Sequence, residues 1–109
     1  MEMSGFDFAA TDWSEVPEVR QPGETGEVRS RTLRFGDVRV RRVDYSPGYS
    51  ADHWCVKGHV LFVIEGELVT TLDDGRVITT GPGNSYQVAD DSTPHRSSTA
   101  VGARLLIVD

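Results

Sequence analysis

With a single cysteine, Cys55, in 109 residues, the chain cannot form an internal disulfide, and a lone free thiol suits a reducing cytoplasm. No apolar run approaches the ~20 residues a membrane-spanning helix requires. The opening residues "MEMSGFDFAATDWSEVPEV" are acidic where a secretory leader would be basic and then apolar. Neither membrane insertion nor export is therefore expected. Basic residues are outnumbered 11 to 17, and a net charge of -6 lacks the positive field that nucleic-acid phosphates demand. A phosphate-cradling glycine loop and a dinucleotide fingerprint are both missing. Ser97 and Ser98 have no positioned acid–base partner, so nucleophilic catalysis has no obvious agent and no catalytic residue is assigned. No stretch carries clear helical periodicity, which excludes alternating βα units and hence a parallel α/β fold.

What the sequence does contain is strands and turns. Residues 1–26 are polar, include Pro17, Pro22, Gly23 and Gly26, and read as an extended N-terminal arm pinned by Phe6, Phe8 and Trp13. Residues 27–109 read as one all-β domain, an antiparallel sandwich or small barrel, because short apolar runs alternate with turn signals at close intervals. The runs are "HVLFVI", "ELVTTL", "RVITT", "SYQVA", "HRSST" and "ARLLIVD". Asp74-Gly75 predicts a two-residue hairpin of type I′, since glycine accepts the positive φ such a turn demands. In "VRVRRVDY" the apolar parity changes between Val40 and Val43. That pattern predicts a β-bulge at Arg41-Arg42, or else a regular strand in which Arg42 points inward with Val38 and Val40. The run "HVLFVI" is apolar on both faces, which in a chain this small predicts a second cover and points to a homodimer.

The chemistry gathers in "ADHWCVKGHV" at 51–60, which holds two of the three histidines and the only thiol. A strand places residues i and i+2 on one face, so His53 and Cys55 are expected to project together. His59 opens the next strand, ~5 Å away across a sheet. The third histidine, His95, follows Pro94 at the start of a later strand, where a closed barrel returns it to the same mouth. Three imidazoles and a thiolate form a borderline-to-soft donor set. They predict a divalent transition metal, zinc first, with iron, nickel and copper as alternatives. The reading without a metal is a hydrogen-bonded cluster around a small buried cysteine.

The stretch "SPGYSADHWCVKGHVLFVIEG" resembles the first motif of the cupin superfamily. Gly48 matches its opening glycine, His53 its first histidine, Cys55 its second, and Gly66 its closing glycine, while His59 stands where a glutamate is usual. "GPGNSYQVADDSTPHR" is similar to the second motif, with His95 at the last ligand position. The runs "DHWC…KGH", "SYQV" and "HRSST" look like the small single-domain bacterial cupins named for an Asp-His-Cys-Trp motif, whose function is unassigned. The resemblance implies a cupin jelly-roll β-barrel with a metal site at its mouth. It also implies exchange of the usual three imidazoles and one carboxylate for three imidazoles and one thiolate, at the same count and charge. Such a centre suits a metal-dependent oxygenase, isomerase or lyase on a small polar or anionic substrate. The alternatives are a non-catalytic small-ligand or metal-binding module and a redox-sensitive protein that uses Cys55. Tyr86 or Gln87 is expected to face the pocket, and Arg42, if inward, to meet a substrate carboxylate.

Overall fold

The computed structural model describes residues 2–109. Nine strands run in chain order: β1 (Glu18–Pro22), β2 (Glu27–Phe35), β3 (Val38–Tyr45), β4 (His59–Gly66), β5 (Leu68–Leu72), β6 (Val77–Thr80), β7 (Ser85–Val88), β8 (His95–Ser98) and β9 (Ala103–Val108). Six form one sheet in the order β1-β2-β3-β9-β4-β7, and three form another in the order β6-β5-β8, with every pairing antiparallel. The two sheets make a jelly-roll sandwich, the all-β architecture expected from the strand-and-turn pattern. Among the described residues no helix is long and apolar enough to cross a membrane.

The core lies between the sheets. Val43, Leu61, Val63, Leu68, Ala103, Leu105 and Ile107 form one buried cluster. Val43 on β3, Leu61 and Val63 on β4, and Ala103, Leu105 and Ile107 on β9 take alternate positions, as the pleat requires, and Leu68 on β5 joins them from the second sheet. Each completely buried Leu or Val contributes about 1.5–3 kcal/mol relative to its exposed state. Leu61, Val63 and Leu105, all at most 1 % exposed, thus anchor the strands that also carry the functional side chains.

Within residues 1–26, expected as an arm of little regular structure, a one-turn 3-10 helix forms at Trp13–Glu15, and Phe8, expected to pin the arm, is 99 % exposed. Asp12 caps the helix by accepting from the Ser14 amide, and β1 then pairs along β2. Phe6 packs on Phe35 with ring centroids 5.0 Å apart, which holds the first residues against the β2–β3 turn.

Two local expectations are corrected. The β5–β6 connection is not a two-residue I′ hairpin. Leu72 and Arg76 close a three-residue loop, the Gly75 amide donates to the Leu72 carbonyl, and Gly75 alone has positive φ, at 94°. That is a type I turn ending in a glycine bulge. The Asp74 carboxylate accepts from the Arg76 amide and so stabilises a conformation that needs only one left-handed residue. In β3 there is no bulge: Thr32↔Arg41 and Arg31↔Arg42 continue an unbroken register with β2, and Arg41↔Ile107 and Arg42↔Leu106 do so with β9. Arg41 shares the inward face of Val43 and Tyr45. Arg42 lies on the outer face with Val40.

Candidate metal centre

Cys55 and His95 come together through the backbone. The Cys55 amide donates to the His95 carbonyl (2.8 Å) and the His95 amide to the Cys55 carbonyl (3.0 Å), an isolated antiparallel bridge that sets the two side chains opposite each other. Pro94, ahead of His95, favours the extended approach this bridge requires. His59 is the first residue of β4, and its ring meets that of His95 edge-on, with centroids 5.0 Å apart at 88°. One donor atom from each of Cys55, His59 and His95 lies within 4.8 Å of the others.

The hydrogen bonds determine what each ring offers. His95 is 3 % exposed, and its Nδ1 lies 2.9 Å from the Thr93 carbonyl oxygen. A carbonyl only accepts, so Nδ1 carries the proton and Nε2 keeps a bare lone pair. That Nε2 is buried and has no hydrogen-bond partner. His59 Nε2 lies 3.0 Å from the Tyr86 hydroxyl, while its Nδ1 is likewise buried and unpartnered. Two orphaned imidazole nitrogens beside one sulfur are costly as they stand, because a buried polar atom without a partner forfeits its desolvation energy. One sulfur and two imidazoles converging here form a donor set that fits a metal ion, which would partner such a nitrogen.

The surroundings favour neutral, ligating imidazole. Burial lowers the His59 pKa to about 4, and the neighbouring His95 and Arg41 push it the same way. Burial raises the Tyr86 phenol above its ordinary range, so it stays a hydroxyl able to face the imidazole. A cavity of about 170 Å³ opens over the cluster, lined also by Arg41, Tyr45, Tyr49 and Tyr86. Behind Arg41, outside the cavity lining, the Asp109 carboxylate, 2 % exposed, receives Arg39 in a bidentate pair (2.7 and 2.6 Å) and Arg41 at 3.4 Å. Burial raises the Asp109 pKa, but the hydrogen bond and charge of Arg39 and the charge of Arg41 outweigh it and hold the group below its ordinary value. Burial, then Arg39, lowers Arg41 from its ordinary value.

Of the four residues expected to ligate, the structure gathers Cys55, His59 and His95. His53 stands outside this group. Its side chain is 72 % exposed at the cavity rim, and its Nδ1 lies 2.7 Å from Asp52 Oδ1. The reason is local: the chain bends at Asp52 and His53 instead of forming a strand, so the same-face rule for i and i+2 does not hold there. Of the pair on β7, Tyr86 faces the cavity opposite Leu61, and Gln87 faces outward opposite Val60. Arg42 lies on the outer face in a groove with Arg29, Arg31 and Arg104. Arg41 takes the inward place that sequence reasoning offered to Arg42. Counting parity back from Val43 and Tyr45, which lie on the core side, would have found it.

No protein-family model and no curated protein matches the chain. Solved structures do. A polyketide cyclase, RemF, from Streptomyces resistomycificus is 26 % identical with a TM-score of 0.74, over 94 % of this chain and 78 % of that one. A predicted oxalate decarboxylase from Thermotoga maritima is 18 % identical with a TM-score of 0.76, over 92 % and 96 %. An RmlC-like cupin from Shewanella frigidimarina is 17 % identical with a TM-score of 0.72, over 96 % and 92 %. The chain has the cupin fold.

Proposed function

We propose that this cupin-fold chain binds one divalent transition metal through Cys55, His59 and His95 and acts as a metal-dependent enzyme on a small anionic substrate. The observation that carries the reading is the convergence of one donor atom each from Cys55, His59 and His95 within 4.8 Å, in a cluster where both histidines also carry a buried, unpartnered ring nitrogen. A thiolate and two imidazoles suit zinc first, then iron, nickel or copper. Three protein donors, with His53 left at the rim, leave room for a substrate atom or water beside the metal. When bound, such a metal supplies Lewis acidity, polarising a substrate oxygen or lowering the pKa of a bound water. The chain's own part is to fix the donors. The Thr93 carbonyl sets the His95 tautomer, Tyr86 orients His59, and the tyrosine-lined walls restrict water.

Elemental analysis of the purified protein and of Cys55→Ala and His95→Ala variants tests the reading. One metal per chain is expected in the parent and a loss of most of it in each variant. Unchanged metal content in either variant removes that residue from the centre. A second reading, a redox-sensitive protein or binding module, is favoured by the partial exposure of Cys55. A cytoplasmic location fits that free thiol. It predicts metal release on peroxide treatment and no turnover.

We place a second copy of the chain on the outer face of the large sheet. There Val60, Phe62 and Ile64 are 47 %, 41 % and 38 % exposed. The register puts Val60 beside Val108 and Phe62 beside Leu106, so the apolar surface runs across β4 and β9 as one patch. A patch of this kind against its own copy forms a closed two-fold interface.

A further inference from the structure

Arg41 is the charged group in the cavity that the metal centre leaves unexplained. It lies on the inward face of β3, paired with the core residue Ile107, and lines the cavity with Cys55, His59 and His95. Its counter-charge is already taken. Both oxygens of Asp109 lie within 2.7 Å of Arg39, whereas Arg41 approaches one of them only at 3.4 Å. Two guanidiniums share one carboxylate, leaving one positive charge without a close partner. Arg41 Nε is also buried with no hydrogen-bond partner. The side chain is 27 % exposed, so it is reachable by solutes, and its surplus positive charge suits an incoming anion. The other arginine of the cavity is occupied: Arg96 Nε donates to the Ala51 carbonyl at 2.8 Å, and its Nη2 pairs with Glu24.

We infer that Arg41 is the specificity-determining residue of this site, holding the carboxylate of a small organic acid whose other end lies at the Cys55–His59–His95 cluster. The inference rests on the proposed metal centre for the position of that other end, but the anion subsite stands on Arg41 itself. The planar fork of a guanidinium matches a carboxylate through two parallel hydrogen bonds. The cavity, about 170 Å³, is smaller than the ~300–1,000 Å³ typical of sites for larger ligands, so it takes an acid of a few heavy atoms. Tyr45 lines the same wall with its hydroxyl pKa pushed up to about 12 by burial, then by Tyr49, so it remains neutral beside an anion.

Calorimetric titration with malonate, succinate, their neutral diamides and inorganic phosphate tests this on metal-loaded protein and on chelator-stripped protein. The diacids are expected to bind the loaded protein and the diamides to fail. Arg41→Met should weaken diacid binding about 10- to 100-fold, the loss of one charge-assisted contact. Arg41→Lys should recover part of it, and Arg42→Met, on the outer face, should change nothing. Metal stoichiometry and melting temperature of each variant establish that it folds. Stripped protein that keeps weaker, Arg41-dependent diacid binding upholds the anion subsite even if the metal assignment fails. Metal-loaded protein that binds no diacid, binds diamides equally well, prefers phosphate, or is indifferent to Arg41→Met overturns the inference while leaving the metal centre intact.

Discussion

Replacing Tyr86 with phenylalanine removes one oxygen and tests which nitrogen of His59 meets the metal. In the structure the Tyr86 hydroxyl lies 3.0 Å from Nε2, and Nδ1 is the buried atom with nothing to bond. If Nδ1 ligates, the Nε2–H donates to the phenol oxygen, which fixes the tautomer and the ring plane. Loss of such an outer partner costs about 10- to 100-fold in metal affinity, or ~1.4–2.8 kcal/mol. Little packing is lost, since the aromatic ring stays and only the hydroxyl goes. The assay is competition against a chromophoric chelator at fixed pH, with the melting temperature of the stripped variant as the control for folding. Affinity should fall within that range. Should Nε2 be the donor instead, the phenol blocks it and its removal tightens binding. Tighter or unchanged affinity therefore refutes the assignment of Nδ1.

The stability of the metal-free protein should depend on pH through His59. Its folded pKa, about 4, lies below the ordinary 6.5, so the folded state disfavours the charged ring. The contribution is complete above pH 6.5 and is lost as pH falls through that window toward 4, by about 1–2 kcal/mol once solvent screening of the half-buried ring is allowed for. Denaturant titration of stripped protein across this range should show the decline, and His59→Gln should flatten it; a parent that is already flat contradicts the reading. Phe62→Lys, on the outer sheet face, should turn a dimer into a monomer by sedimentation without altering metal content. A monomeric parent, or a variant that remains dimeric, removes the second copy from that face.

The fold was legible because its signals are local. The short apolar run "ARLLIVD" set off by turn signals reads as a strand, and β9 spans Ala103–Val108 with Leu105 and Ile107 buried. The hairpin after Leu72 was visible in Asp74-Gly75, although its type was not, since one glycine serves both the two-residue and the bulged turn. The cluster of Cys55, His59 and His95 was legible too, because His59 and His95 open strands, and strand starts at one barrel end converge. What failed was parity and local bending. Val38 and Val40 share the face of Arg42, away from the main core cluster, with Val38 buried there, so they gave a misleading origin for counting and made Arg42 the inward candidate in place of Arg41. His53 was assigned to a strand from its spacing to Cys55 alone, yet only Cys55 pairs with another strand. The bend at Asp52 leaves no mark in hydrophobic periodicity. Asp109, which ties down Arg39 and approaches Arg41, lies some 70 positions from both, and such a pairing appears only once β3 and β9 are known neighbours.

Cobalt substitution addresses the metal centre most directly, because a thiolate bound to Co(II) gives an intense sulfur-to-metal charge-transfer absorption. Stripped protein titrated with cobalt should saturate at one ion per chain with that band present, and the band should vanish in Cys55→Ala. Cobalt bound without it, or no saturable binding, would contradict a centre built from Cys55, His59 and His95.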